Sequence, residues 1–314
     1  MEPSVQALGC VSPARVLKRY LLATRPMFLP ASVVPVAVGS SWGAWVSGAL
    51  DGLALLVALL AVACVHAGVN VLNDVYDDIN GADPDNRGRV FPYTGGSRFI
   101  QNGVLSREQM HRWAWMLLSA AFALGVVLYV LKGFPVVLFG LAGIALGVLY
   151  SLPPFCLASR GLGELAVALG FGVLPVAGAA WLQGAAPHWH WLLLSLPVSV
   201  WVANILLINE VPDAIADASA GKRTLVVRLG APATGTLYAL LSVVALIAAF
   251  SLALTTSLSL WGLMPMALLL LLGLDVGRRI VGVGPADAGM RRAIQATLTI
   301  HALGGVWLIL WPWL

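Results

Sequence analysis

Apolar runs of about 20 residues follow one another along almost the whole chain, separated by polar stretches of uneven length. That is the helix length needed to cross the roughly 30 Å hydrocarbon core of a bilayer. Lipid offers no partner to a free backbone group, so such runs are expected to be helices. The pattern predicts nine of them, at residues 27–49, 53–74, 113–131, 134–152, 163–184, 191–209, 232–256, 259–275 and 293–313. Ahead of the first, "VSPARVLKRYLLAT" places basic and apolar positions on opposite faces and reads as a short helix lying in the membrane interface. Residues 1–26 are therefore expected to form an interfacial segment, and 27–314 a single transmembrane domain. No apolar core ending in small residues occurs within residues 1–26, so no cleavable signal peptide is read there.

Composition agrees with this pattern and excludes a soluble domain. The 314 residues are 60% hydrophobic and only 10% charged, with a mean hydropathy of +0.89. Of the 18 lysines and arginines, 17 fall on one side of a nine-helix chain and only Lys132 falls on the other. Inside-positive topology then places the N-terminus and the long polar loops in the cytoplasm, in a bacterial inner membrane. The net charge of +4 is accounted for by topology and gives no case for nucleic-acid binding. Cys10, Cys64 and Cys156 lack metal spacing and read as small packing residues.

Against this background "NVLNDVYDDINGAD" stands out, with Asp74, Asp77, Asp78 and Asp83 among only 14 acidic residues. Charge is costly at a membrane, so a cluster at its edge suggests a task. Asn70, Asn73, Asp74 and Asp77 have the spacing of one helical face, His66 extends that face one turn deeper, and Gly81 is expected to end the helix. A face of hard oxygens suits Mg²⁺, which takes a few carboxylates and fills its shell with water and phosphate. Taken alone, such a stretch is more often a capping and solvating loop. A second cluster, "NEVPDAIADASAGKRT", repeats Asn209, Asp213 and Asp217 at four-residue intervals beside Glu210. Each cluster ends an even-numbered helix, four helices apart. This suggests two repeated four-helix halves plus a ninth helix, with two carboxylate sets able to hold a pair of divalent ions around one diphosphate. Lys222, Arg223 and Arg98, near these carboxylates, are suited to phosphate oxygens, and Gly95–Gly96 would let backbone N–H groups approach an anion. Glu164 and Arg160 read as a loop ion pair. His66 and His301, inside apolar helices, read as satisfied interior histidines, with His66 also placed to support the metal face.

These residues resemble the UbiA superfamily of intramembrane prenyltransferases. "NDVYDDINGAD" resembles its first aspartate-rich motif, "DAIADASAGKRTLVVRLG" its second, "TRPMFLPASVVPVAVG" the opening of its first helix, and "LYSLPPFCLASRGLGE" the segment between helices four and five. The resemblance implies a nine-helix all-α bundle that joins a polyprenyl diphosphate to an aromatic acceptor with Mg²⁺, two ions being expected. It also implies roles by position. Asp74, Asp77, Asp213 and Asp217 become catalytic metal ligands, with Asp83, Asn73 and Asn209 completing the metal set. Arg25, Asn70, Arg98, Lys222 and Arg223 become substrate contacts, Arg25 toward an acidic group of the acceptor. Tyr150 would face an allylic cation, and His66 and Glu210 would support the ligands.

The longer spacing to Asp83 resembles the 1,4-dihydroxy-2-naphthoate branch of menaquinone synthesis more than the 4-hydroxybenzoate branch of ubiquinone synthesis. Two departures stand against the naphthoate branch, since Met27 and Cys156 occupy positions where it commonly has lysine. A transporter would also carry charge at helix ends, although nearer the bilayer midplane. A noncatalytic lipid-binding protein would not need two matched carboxylate sets.

Overall fold

Asp51 and Gly81 bracket the second membrane-length helix, each for a local reason. The Asp51 side chain accepts the Ala54 amide at 2.9 Å and so caps the start. Gly81, at φ 85°, takes the left-handed conformation that ends a helix without strain. The computed structural model describes residues 2–8, 12–81, 88–151, 154–282 and 288–314. In chain order its helices are α1 (Val5–Leu8), α2 (Pro13–Ala23), α3 (Pro30–Ser47), α4 (Gly52–Asn80), α5 (Arg107–Lys132), α6 (Pro135–Ser151), α7 (Gly163–Val167), α8 (Leu174–Leu182), α9 (His190–Ser219), α10 (Leu225–Thr255), α11 (Leu263–Gly282) and α12 (Ala288–Leu310). A π-helical turn, Ala168–Val173, joins α7 and α8 into one span. No strand occurs among the described residues.

Every predicted segment falls on one of these helices. Among the described residues, eight spans are long and apolar enough to cross a membrane, and α6 adds a shorter ninth. The boundaries differ where tertiary structure outweighs apolarity. Helix α9 continues through Ser219, past the predicted end at 209, and carries Asn209, Glu210, Asp213 and Asp217 despite Pro197 and Pro212. Helix α10 begins at Leu225, and its path breaks at Gly230 (φ 74°, ψ 166°) just before Pro232. The predicted start at 232 therefore marks this kink. The amphipathic segment folds as α2, as its pattern predicts.

Helix α9 is the most enclosed span, packed by α3, α7, α8, α10 and α12. Close packing between helices rests on small residues, which let backbones approach where lipid supplies no hydrophobic drive. A Cβ at Gly39 would run into the Val176 backbone, one at Gly172 into Ser199, and one at Gly304 into the Trp201 indole. Phe122 and Val130 of α5 point outward, as a lipid-facing surface requires. Lys132, the basic residue predicted on the opposite side, pairs with Asp51 at 2.7 Å. The Ala54 amide and the Lys132 ammonium hold the Asp51 carboxyl below the usual carboxylate range.

The connection from α4 to α5 folds back over the end of the bundle. The Arg89–Glu2 ion pair (2.8 Å) and the Asn102 amide bonded to the Pro3 carbonyl (2.8 Å) hold it against the N-terminal segment. Beneath it Leu8, Val71, Phe99 and Met110 form a small apolar cluster of their own.

The Gly39 contact generates a direct expectation. Gly39→Val forces α3 away from α8 and costs about 1–3 kcal/mol, as overpacking of a tight contact does. The measurement is the thermal unfolding midpoint of the purified protein in detergent. An unchanged midpoint would show that the contact is not tight.

Candidate active site

The two acidic motifs occupy the C-terminal ends of α4 and α9, and a single side chain bridges them. Lys222 Nζ lies 2.5 Å from Asp77 Oδ1 and 3.6 Å from Asp217 Oδ1, joining residues 145 positions apart in sequence. The Lys222 backbone amide donates to the Asp217 carbonyl at 2.8 Å, which turns the chain so that the side chain reaches back.

On α4 the helical period sorts neighbouring carboxylates into different jobs. Asp77 faces inward and accepts the Asn73 side-chain amide at 2.8 Å. Asp78 faces the start of α5, where it accepts Arg107 (2.6 and 2.9 Å) and Gln101 (3.1 Å). Asp74 is 2% exposed; its Oδ2 accepts the Ser97 backbone amide at 3.0 Å, and its Oδ1 has no partner among the described residues. The Asn70 amide nitrogen reaches the Thr24 carbonyl (3.2 Å) and His66 Nε2 (2.9 Å). Because that amide can only donate, His66 Nε2 accepts, and its Nδ1–H donates to Ser32 Oγ at 2.7 Å. His66 is thus a satisfied interior histidine that also holds a motif residue in place.

On α9, Asp213 Oδ2 accepts the Gly95 backbone amide at 3.3 Å, and Asn209 Oδ1 is buried with no partner among the described residues. Gly95, Gly96 and Arg98 all have positive φ (75°, 73° and 65°), and this local path aims the 95 and 97 amides at the two motifs. The backbone amides of Gly95 and Ser97, on either side of Gly96, therefore go to carboxylates in this structure. Arg98 is itself buried, and its charge acts on Glu2.

Arg25 sits in a left-handed turn at φ 57°, donates to the Tyr93 carbonyl at 2.5 Å and lies over the Phe28 ring at 4.9 Å. Its charge reaches Asp74 and His66. Tyr150, at the end of α6, lies within electrostatic range of Glu210, Asp77, Glu164 and Asp217. The Arg223 side chain is exposed, while its amide donates to the Ser159 carbonyl at 2.9 Å and ties the 157–162 turn to the second motif. Met27 lines a cavity of about 220 Å³ with Pro30, Ala31, Ile205 and His301. His301 Nε2 has no partner among the described residues, unlike the satisfied histidine expected there. Asp83 lies outside the described residues.

Glu164 corrects the sequence reading. Arg160 is exposed and donates to the Pro154 carbonyl at 2.6 Å, so it forms no loop ion pair with Glu164. Glu164 is buried against Glu210, which also accepts from Thr224. Two facing carboxylates would both be acceptors, so unless one carries a proton both Glu164 oxygens and Glu210 Oε2 lack a donor among the described residues. The only sequence signal for this position was an acidic residue placed directly after the "RGLG" turn, at the head of an apolar run.

Among the described residues no three His, Cys, Asp or Glu side chains converge into a ready-made metal cage. Carboxylates on two facing helix ends, with unpartnered buried oxygens on Asp74 and Asn209, still suit a hard cation that keeps most of its shell for water and phosphate.

The sequence matches the UbiA prenyltransferase family over residues 32–311. It is 30% identical over 289 residues to a 1,4-dihydroxy-2-naphthoate octaprenyltransferase of Mycobacterium leprae, covering 91% of this chain and 96% of that protein. A Mycobacterium tuberculosis protein of the same name is 32% identical, with 80% and 84% covered. Among solved structures, a UbiA homolog from Archaeoglobus fulgidus bound to GPP and Mg²⁺ superposes with a TM-score of 0.65 at 17% identity, covering 94% of this chain and 99% of that one. The apo form of a homolog from Aeropyrum pernix gives 0.66 at 19% identity, with 88% and 96% covered. These likenesses carry the fold.

The Glu164–Glu210 contact can be tested by stability. Glu164→Gln supplies the pair with a permanent N–H donor and is expected to raise the unfolding midpoint in detergent. A loss of about 1 kcal/mol or more, the size of a forfeited hydrogen bond, would show that a shared proton or a cation already satisfies the pair.

Proposed function

The chain belongs to the UbiA prenyltransferase family, and we propose that it transfers a polyprenyl group from polyprenyl diphosphate to 1,4-dihydroxy-2-naphthoate, a step of menaquinone synthesis. The observation that carries the site reading is the meeting of the α4 and α9 carboxylates at one basic side chain, Lys222. The acceptor is supported by the names of the mycobacterial relatives and by a 2-carboxy-1,4-naphthoquinone phytyltransferase of Synechocystis, 30% identical over 223 residues. Inside-positive charge supports a site facing the cytoplasm across a bacterial inner membrane.

In this reading Asp74, Asp77 and Asn73 on α4, with Asp213, Asp217 and Asn209 on α9, hold two Mg²⁺ ions, and Asp83 is a further ligand. When bound, the metal neutralises charge on the departing diphosphate. Lys222, Arg98 and Arg223 hold the diphosphate oxygens, and Asn70 supports them from its fixed position beside His66. The C1–O bond of the donor breaks, and its electron pair leaves with the diphosphate. The Tyr150 ring offers a π face to the allylic cation left behind, while the apolar walls keep water from capturing it. Arg25 pairs with the acidic group of the acceptor and turns the ring toward C1. The ring carbon bonds to C1, and its carboxyl leaves as CO₂, returning an electron pair to the ring.

The absence of lysine at Met27 and Cys156, where the naphthoate branch commonly has it, keeps 4-hydroxybenzoate as a second acceptor to test. The deciding experiment supplies purified protein with labelled polyprenyl diphosphate, with and without Mg²⁺, and offers both acceptors in parallel. Mg²⁺-dependent prenylation of the naphthoate is expected. Product with the benzoate alone overturns the branch and keeps the mechanism, whereas Mg²⁺-independent product overturns the metal site.

The helical sorting of Asp77 from Asp78 adds a sharper prediction. Asp77→Ala and Asp213→Ala are each expected to lower turnover about 100-fold or more while the protein stays folded, the scale on which lost electrostatic stabilisation acts. Asp78→Asn, at a position whose hydrogen-bond partners among the described residues are Arg107 and Gln101, is expected to leave turnover near the wild-type rate. Steady-state rates with saturating donor check both, and equal losses at 77 and 78 would refute the assignment.

A further inference from the structure

Each inward carboxylate of the two motifs already carries a donor from the protein itself. Asp74 holds the Ser97 amide and Asp213 the Gly95 amide. Asp77 holds the Asn73 amide together with Lys222, and Asp217 faces the same ammonium. The amides lend partial charge, but Lys222 lends a full one, on the carboxylate oxygens that a divalent ion would need. Its stem is four flexible carbons and its head a compact charge, so it can move between partners with little rearrangement. It directly follows Gly221, a glycine at φ 78° just past the end of α9, which lets the chain turn there.

We infer that Lys222 is an internal stand-in for the metal. Its ammonium holds the two motifs together before substrate arrives and competes with a divalent ion for Asp77 and Asp217. The competition is relieved only when a diphosphate enters and offers the ammonium a new anion. This inference rests on the reading of the motifs as a metal–diphosphate site and adds an order to it: the metal binds weakly alone and tightly together with diphosphate. Because coupling between two ligands is reciprocal, metal raises diphosphate affinity by the same factor by which diphosphate raises metal affinity.

The test counts bound Mn²⁺ by electron paramagnetic resonance on purified protein in detergent, with Mn²⁺ alone and then with inorganic diphosphate. Lys222→Gln is expected to bind Mn²⁺ alone about tenfold tighter than wild type or better, because a positive charge a few ångströms from the site is gone. Lys222→Arg keeps the charge and is expected to exclude Mn²⁺ as wild type does. Diphosphate is expected to tighten Mn²⁺ binding strongly in wild type and much less in Lys222→Gln. If Lys222→Gln binds Mn²⁺ no tighter than wild type, the stand-in role is wrong. The wild-type measurement stands without any variant: Mn²⁺ affinity that diphosphate leaves unchanged also overturns the role. Adding Asp77→Asn to Lys222→Gln must weaken Mn²⁺ binding. If it does not while other Mn²⁺ binding persists, the carboxylate metal site itself fails, an outcome distinct from failure of the competition.

Discussion

Like charges repel, and this fold gathers six carboxyls around the ends of α4 and α9 in a chain that is only 10% charged. The arrangement around Asp74, Asp77, Glu164, Glu210, Asp213 and Asp217 follows from that constraint. Backbone amides of the α4–α5 connection are turned toward two of them, Lys222 is drawn between two more, and the glutamates are pressed together against a threonine. Without a substrate the site is held by the protein's own donors, each weak enough to be exchanged. Apolar packing behind it encloses α9, and Lys222 links its end to that of α4.

The rigidity and the exchangeable contacts belong to different parts of the molecule. Helix α9 is fixed on all sides, with glycines at the tightest crossings. The segment from Gly88 to Ser106 is held by side chains from several directions. Arg25 and Arg291 donate to the Tyr93 and Phe91 carbonyls, and Arg89 and Asn102 hold the N-terminal segment. A loop anchored on both flanks can present the 95 and 97 amides accurately and still release them, since no helix hydrogen bond is broken.

Much of this was legible in the sequence because it is periodic. Apolar length marked the spans, and the spacing of Asn70, Asn73, Asp74 and Asp77 placed them on one face and predicted the stop at Gly81. The family likeness then gave roles to residues that spacing alone left open. What could not be read depends on contacts between distant segments or on unusual backbone geometry. Asp77 and Asp78 are adjacent letters with opposite environments. Glu164 looked like a loop charge because its partner is 46 positions away. The predicted end of the sixth span at 209 followed the loss of apolarity there, yet packing carries α9 on to Ser219 through Pro212.

The lengths of α4 and α9 have a consequence for where the chemistry can happen. At about 1.5 Å per residue, their 29 and 30 residues extend roughly 44 Å, against a hydrocarbon layer of about 30 Å. The surplus lies at the acidic ends, which therefore stand at the depth of the lipid headgroups. A prenyl diphosphate is divided in the same way, with a tail that belongs in oil and a head that belongs in water. On the proposed function, a chain whose polar boundary lies at those acidic ends would let a donor react without either half leaving the phase it prefers.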